Sequence, residues 1–524
     1  MPQSSSSRGN PILAAALKSL KKLQEKHHGV VEASDLKDDH RAILVDAGYL
    51  KPVMKGWYIC GNPKDKEGES TWWYATFWEF ASGYLAKRFG KRYCLNPEVS
   101  LLLHTGVTTV PRQVIAVTID SGAGPVPLPF DTSLMVYPQE SNVPSSRMDV
   151  RGLQVWPVAE ALCHAGPSFF LNNYREAEIA LHMVRNATEL LPTLLAGKTM
   201  PTAAARLAGG FEFLKRPDEA QRIVTAFAQH RKIIKPKNPF EREEPTLAPS
   251  RERSPYVLRL QSMWASWRED VIKAFPPAPG LNGASAGYLD QVEERYKADA
   301  YNSLSIEGYR VTDELIERVA SGNWNPEGNA EHEEMKNALA ARGYYQAFQA
   351  VKASIGKVLT GANVGDVVNA DHHGWYGELF GPAVDAGILE RSQLLGYRSG
   401  PIFIRNSKHT PVPRDAILDS LEALFNLLRD EPEASVRAVL GHHLFVFIHP
   451  YFDGNGRIGR FMMNAFLASG GYPWTVIRVS QRAKYMRALE DASVGENITP
   501  LAEFIAKEMV EWTPERDSGA TKAG

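Results

Sequence analysis

The run His449-Pro450-Tyr451-Phe452-Asp453-Gly454-Asn455-Gly456-Arg457-Ile458-Gly459-Arg460 brings together an imidazole, a carboxylate, an amide, two guanidinium groups and two loop glycines. These groups suit phosphate chemistry. A positioned imidazole takes a proton from an attacking hydroxyl, which makes His449 the candidate catalytic base. A carboxylate holds Mg²⁺ between phosphate oxygens, which makes Asp453 the candidate metal ligand. Backbone N–H groups that converge at a helix start bind a polyphosphate without a lysine, and Gly454, Asn455, Gly456 and Arg457 are the candidates for that cradle. Arg457 and Arg460 lie three apart and share one side of a helix.

The flanking segments must place these groups. From Ser435 to Ile448 the apolar residues Val436, Val439, Leu440, Leu444 and Phe447 follow a helical spacing that buries one face, and Pro450 ends that helix. The run from Asp453 to Gly456 favours tight, partly left-handed backbone. Ile458, Phe461, Met462, Ala465 and Phe466 then set the period of a second helix. The expected unit is helix, loop, helix, with the loop amides at the second helix's positive end.

The run resembles the signature of the Fic family, His-Pro-Phe-x-Asp/Glu-Gly-Asn-Gly-Arg-x-x-Arg, and departs from it at Tyr451, which keeps an aromatic anchor where the family has Phe. Many fixed positions at fixed spacing make this match specific. The resemblance implies transfer of AMP from ATP to a hydroxyl side chain (Ser, Thr or Tyr) of a target protein, with His449 as base and Asp453 on Mg²⁺. It also implies Asn455 and the loop amides on the α-phosphate, Arg457 on the β-phosphate and Arg460 on the γ-phosphate.

Two further stretches resemble parts of the same family. The segment from Gly396 to Arg405, leading into His409-Thr410-Pro411-Val412-Pro413, is similar to the family's β-hairpin flap. In such a flap Ile402, Phe403 and Ile404 would dock a target segment as an added strand. Ser303-Leu304-Ser305-Ile306-Glu307-Gly308 matches the family's inhibitory pattern Ser/Thr-x-x-x-Glu-Gly/Asn. Ser303 and Glu307 are one helical turn apart, and Gly308 suits a left-handed cap that stops the helix where Glu307 projects. The reading is an adenylyltransferase autoinhibited by Glu307. Two alternatives keep the same residues: a de-AMPylase in which Glu307 aligns a water, and a DNA-binding regulator whose Fic part senses nucleotide. A donor other than ATP is also compatible with the motif.

The pairs His372-His373 and His442-His443 are weak metal candidates, because neighbours on a helix point in different directions and no Cys/His set accompanies them. Cys60, Cys94 and Cys163 are odd in number and far apart, which fits reduced thiols in the cytoplasm. A formal charge of -1 gives no global drive toward DNA or an anionic membrane. No stretch has the length of a membrane span, and Pro11 to Leu17 lacks the flanks of a signal peptide.

The fold class expected is multidomain: an N-terminal α+β region, then an all-α Fic bundle with a small β-hairpin flap. The expected divisions are a disordered tail (1–10), a winged helix-turn-helix-like segment (11–60), an α+β region (61–231), an exposed linker (232–255), a connecting helix (256–287), the Fic domain (288–512) and a polar tail (513–524). In the winged segment an amphipathic helix from Ile12, a second helix capped by Ser34 or Asp35, and strands around Tyr49–Pro52 and Lys55–Ile59 offer a surface for DNA, although lysines opposite an apolar stripe are more often a solvated face. The order of elements over roughly residues 10 to 230 resembles an AbiEi-type antitoxin regulator domain. The linker is assigned from Lys232 to Pro255, rich in Lys, Glu, Arg and Pro without apolar periodicity.

Overall fold

The computed structural model describes residues 11–27, 29–63, 68–122, 124–139, 143–196, 200–248, 252, 254–281, 285–321 and 332–511. The expected tails, 1–10 and 513–524, lie outside the described residues. The chain divides into two compact units, Met1–Arg259 with Phe403–Thr410, and Leu260–Ile402 with Pro411–Gly524.

The first unit is mixed α/β. Helix α1 (Pro11–His27), β1 (Val30–Glu32), α2 (Asp38–Asp46), β2 (Leu50–Met54) and β3 (Trp57–Cys60) form a small module with strand order β1-β3-β2, both pairings antiparallel. Its core is Ala16, Leu20, Val31, Leu36, Leu44 and Leu50. The second helix starts later than Ser34 or Asp35: residues Ala33–Asp35 form a 3-10 turn, and α2 follows from Asp38.

Helix α3 (Thr71–Phe89) is rich in aromatics because it is a core element, burying Trp73, Phe77, Trp78 and Phe80. It packs with β4 (Tyr93–Leu95), α4 (Pro97–His104), β5 (Gln113–Thr118), β6 (Gly124–Leu128), β7 (Thr132–Pro138), β8 (Met148–Val150) and β9 (Leu153–Val155). The larger sheet runs β4-β5-β7-β6, with β5 and β7 parallel and the other neighbours antiparallel. Asn96 caps α4 by accepting from the N–H of Val99, with Pro97 at the first helical position.

Helices α5 (Val158–His164), α6 (Pro167–Asn172), α7 (Tyr174–Met183), α8 (Leu191–Leu195), α9 (Pro201–Phe213) and α10 (Pro217–Gln229) surround a separate core that includes Phe169, Phe170, Leu181, Leu207 and Phe211. The stretch expected to be an exposed linker has no helix or strand among its described residues before Pro255, but it is packed. Ile234, Phe240 and Leu247 are buried, and the N–H of Leu247 donates to Glu178 at 2.7 Å. Few, widely spaced apolar residues anchor it, so no period announces them. Gly209 on α9 lets this strap approach: a Cβ there would sit 2.1 Å from the carbonyl oxygen of Lys237.

The second unit contains helices and no strand among its described residues. Helix α11 (Pro255–Ala274) leads into it, followed by α12 (Ser285–Ile306), α13 (Asp313–Ala320), α14 (His332–Leu359), α15 (Val364–Asp385), α16 (Ile417–Asp430), α17 (Ala434–Ile448), α18 (Asn455–Ser469), α19 (Arg482–Ser493) and α20 (Thr499–Glu511). Helix α17 buries nearly every residue rather than one face, which makes it the central helix of the bundle. Helix α18 is almost as deeply buried and packs along it.

Gly209→Ala tests the packing of the strap. A methyl group driven into backbone costs about 1–3 kcal/mol or more, so the melting temperature of the first unit is expected to fall by several degrees. An unchanged melting temperature would show that residues 232–248 do not lie against α9.

Candidate active site

The loop between α17 and α18 is built as its residue types dictate. His449 caps α17 in the left-handed region (φ 55, ψ 61) and Gly454, at φ 81, precedes α18. A side chain at Gly454 would meet the Phe380 ring at 2.8 Å. The backbone N–H groups of Gly454 to Arg457 therefore lie at the start of α18, where the helix dipole favours an anion.

His449 is half-buried, and its Nδ1 lies 3.1 Å from the Val446 carbonyl. A carbonyl only accepts, so Nδ1 carries the proton and Nε2 has the free lone pair of a base. Burial pushes the imidazole down to about 4, with the Val446 bond opposing and nearby Arg398 assisting. The imidazole is thus neutral at neutral pH.

Asp453 has a largely exposed side chain whose Oδ1 accepts from Nη2 of Arg457 at 3.1 Å and from the N–H of Gly454 at 2.6 Å. Arg457 is buried, with its guanidinium between the rings of Tyr309 (5.3 Å) and Phe380 (5.0 Å). Its Nε has no hydrogen-bond partner among the described residues. Burial is the strongest single influence and works against the Arg457 charge, but Asp453, Tyr309 and Glu307 together hold the pKa above the usual value. A buried, unused donor beside a helix start is an arrangement that a phosphate oxygen completes.

Asn455 also shapes the loop. Its side chain is buried, its Oδ1 accepts from the N–H of Tyr451 at 2.9 Å and its Nδ2 donates to the Tyr451 carbonyl at 2.7 Å. Both ends of the amide are committed to bracing the loop.

Arg460 is also buried. Its Nε donates to Ser303 Oγ at 3.0 Å, and its Nη2 donates to the Ser303 carbonyl at 3.2 Å and to Glu307 Oε1 at 2.8 Å. Burial opposes the charge, yet the Glu307 carboxylate raises the arginine's pKa overall. Helix α12 ends at Ile306 and Gly308 takes φ +90, which leaves Glu307 projecting toward the loop. Gly456 makes that approach possible: a Cβ there would lie 2.6 Å from Glu307 Oε1. Glu307, Gly308, Tyr309, Arg310, Lys336, Asn337 and Asp453 line a polar cavity of about 210 Å³.

The flap is not a hairpin. Residues 401–404 pair with no strand, and Phe403–Thr410 belong to the first unit. Prolines 401, 411 and 413 remove donors a ladder needs. The tip instead spends its hydrogen bonds on other partners: Arg405 donates to Glu69 at 3.1 and 3.0 Å, and the N–H of Asn406 to Thr71 Oγ1 at 2.8 Å. Ile402 and Ile404 are half-buried and Phe403 is exposed. The same stretch supplies a residue that the motif does not reveal. Arg398, buried, donates from Nε to the His449 carbonyl (2.8 Å) and from its backbone N–H to the Pro450 carbonyl (2.8 Å).

Tyr309 and Phe380, the walls around Arg457, were also invisible in sequence. Tyr309 follows Glu307-Gly308 closely, but nothing marks Phe380, which α15 brings in from 77 positions before Arg457. His442 packs under the loop, with Nε2 2.7 Å from Tyr485 Oη and Nδ1 2.8 Å from where a Cβ on Gly459 would be. The rings of His372 and His373 do not splay apart but stack at 4.6 Å. No group of three or more His, Cys, Asp or Glu able to hold a metal occurs among the described residues. No described helix is long and apolar enough to cross a membrane.

A left-handed histidine cap, a helix start that favours an anion and two buried arginines meet in one helical domain. Residues 382–467 match the Fic/DOC family, so the chain carries a Fic/DOC domain. That match takes in the segment with Arg398 and the whole catalytic loop, but not Ser303 or Glu307. The chain is 30% identical over 223 residues to a protein adenylyltransferase Fic of Nematostella vectensis, covering 41% of this chain and 47% of that one. It is 28% identical over 232 residues to the Drosophila ananassae protein of the same name, covering 43% and 42%. The chain thus spans less than half the length of these relatives. A solved fragment of Fic-1 from C. elegans aligns over 62% of this chain and 88% of its own, at 18% identity and a TM-score of 0.35.

The depressed histidine gives a direct check. In the free protein, ¹⁵N-histidine NMR between pH 8 and 5 is expected to keep the His449 ring at neutral-imidazole positions, because the native state disfavours the charged form until about pH 4. A midpoint near 6.5 would contradict the burial argument.

Proposed function

We propose that the protein transfers AMP from ATP to a Ser, Thr or Tyr hydroxyl of a target protein, and that Glu307 holds the site in a resting state. The observation that carries this reading is the contact of Glu307 with Arg460 beside Gly456, at the mouth of the anion-binding loop. The target hydroxyl oxygen attacks the α-phosphorus, the bond to the bridging oxygen of the β-phosphate breaks, pyrophosphate leaves, and His449 Nε2 takes the hydroxyl proton. The loop amides and Arg457 meet the charge that develops on the phosphates. Arg460 serves the terminal phosphate, and Asn455 keeps the loop in shape.

The residues fit Mg²⁺ as a substrate-borne ion. Asp453 is exposed with one carboxylate oxygen left over, and Mg²⁺ is commonly held by one or two carboxylates with phosphate and water supplying the rest. Bound there, the ion would neutralise polyphosphate charge. Donors other than ATP share these anchors only if they carry a phosphate for Arg460.

While Glu307 occupies Arg460, a terminal phosphate cannot. The cavity of about 210 Å³ lined by Glu307 is smaller than the roughly 300–1,000 Å³ of typical ligand pockets, which agrees with a site closed to productive nucleotide. Removal of AMP is the second reading, favoured by the part of the Glu307 side chain that stays exposed to that cavity, where it has room to align a water. DNA as a partner has weaker support: the first module has the helices and paired strands a winged helix needs, but the exposed lysines of α1 are what any amphipathic helix presents.

Glu307→Gly is expected to raise transfer of label from α-³²P-ATP to protein. If the paired state is favoured by about 2–3 kcal/mol, the gain is roughly 30- to 150-fold. Adding Arg460→Ala should return activity to a low level, and His449→Ala should cost about 10²–10⁴-fold while ATP binding survives. Equal transfer by wild type and Glu307→Gly at saturating ATP and Mg²⁺ would remove the inhibitory role. Loss of AMP release from pre-modified target in Glu307→Gly, with no gain in the initial rate of transfer, would favour the second reading.

A further inference from the structure

We propose that His373 is a positioning residue of the catalytic loop, gripping the hydroxyl by which Tyr451 departs from the family's phenylalanine; this rests on the reading of His449 as the base. Tyr451 is buried, and its ring stacks on Tyr376 at 3.9 Å with 6° between planes. Its Oη lies 3.0 Å from Nδ1 of His373. Three faces of one residue are therefore held: backbone by Asn455, ring by Tyr376, hydroxyl by His373.

The proton placement follows from the neighbours. Nδ1 of His372 faces the carbonyls of Val368 and Asn369 at 3.0 and 2.9 Å, so it carries hydrogen and Nε2 accepts from Tyr397 Oη at 3.0 Å. Burial raises the Tyr451 hydroxyl far above its usual pKa, so it keeps a proton to donate, and Nδ1 of a neutral His373 ring is placed to accept it. Burial on that side also lowers the His373 pKa, which keeps the ring in the neutral form that can accept. A phenylalanine at 451 would need no such acceptor. A tyrosine hydroxyl buried without one is costly, and His373 is the compensating residue, one helical turn before Tyr376 on the same face of α15.

The consequence reaches His449 through Pro450 alone. His449 sits in a backbone region that side chains other than glycine rarely adopt, so it stays there only if its surroundings over-determine it. Arg398 holds the carbonyls of His449 and Pro450, and the clamped Tyr451 holds the other side. If the Tyr451 ring shifts to find another partner, the imidazole turns with it. The other side of His373 opens onto a cavity of about 580 Å³ lined also by Gly377, Gly381, Leu394 and Leu395, while its ring packs on those of His372 and Tyr397 at 4.6 Å, contacts that truncation removes whichever residue stands at 451.

The test uses the full chain carrying Glu307→Gly, with His373→Ala, Tyr451→Phe and the two together. Both kcat and KM for ATP are measured, and the His449 ring is followed by ¹⁵N-histidine NMR. His373→Ala is expected to lower kcat about 5- to 20-fold with KM for ATP within about twofold, since small misplacement of a reacting group acts on rate. Adding Tyr451→Phe should restore kcat to within about threefold of the parent and return the displaced His449 resonances, because the hydroxyl that needed a partner is gone. Equal impairment of the single and double variants, or kcat and KM shifting together, would overturn the proposal. If the Glu307→Gly parent transfers no label, the functional reading fails, and the NMR arm still decides: unmoved His449 resonances in His373→Ala overturn the clamp, and displacement reversed by Tyr451→Phe supports it.

Discussion

Arg460 is a cation inside a protein core, and the groups around it divide into those that hold it and the one that competes for it. Ser303 fixes the guanidinium through Oγ and a backbone carbonyl. Behind it Asp299 is buried on the same helix, one turn earlier, bonded to Tyr344 and pushed up to about 6 by that burial. Glu307 supplies the counter-charge in the resting arrangement. An unpaired charge at such depth costs several kcal/mol, so Arg460 needs a counter-charge, which Glu307 supplies; on the proposed reading a terminal phosphate would compete for the same donors. The rest of the site is arranged around that exclusion: Gly308 frees the helix end, Gly456 admits the carboxylate, and Tyr309 and Phe380 enclose the neighbouring Arg457.

A second constraint is conformational. His449, the proposed base, sits at the C-cap of a deeply buried helix in a left-handed conformation, and the loop that follows must present its amides outward. Hydrogen bonds between the loop backbone and the side chains of Arg398 and Asn455 keep these positions fixed. The loop's shape is maintained by side chains bonded to its backbone, and of its own N–H groups that of Tyr451 goes to Asn455 and that of Gly454 to Asp453.

The chemistry was legible because it is compressed into one run, and the helix-loop-helix because the apolar period breaks at Pro450 and resumes at Ile458. The relation of Ser303 to Glu307 was legible from helical spacing. Phe380, Tyr309 and His373 were not, because their roles depend on which helix packs where, and no local period carries that information. The bracing of Tyr451 by Asn455 was not legible for a related reason: an amide in a phosphate loop does not announce in sequence that its two ends meet the backbone four residues earlier. The stretch expected as a hairpin at 396–405 forms no strand because Pro401 cannot donate and its tip found partners at Glu69 and Thr71. The 232–255 stretch read as exposed because three buried apolar residues, widely spaced among charges, give no period.

The central claim is that Glu307 and a terminal phosphate exclude each other at Arg460. It is tested most directly by a crystal structure of the Glu307→Gly protein with Mg²⁺ and a non-hydrolysable ATP analogue. The account predicts the γ-phosphate within hydrogen-bonding distance of Arg460, the polyphosphate lying over the Gly454–Arg457 amides and the α-phosphorus facing His449. A nucleotide bound away from that loop, with Arg460 still committed to Ser303 alone, would contradict it.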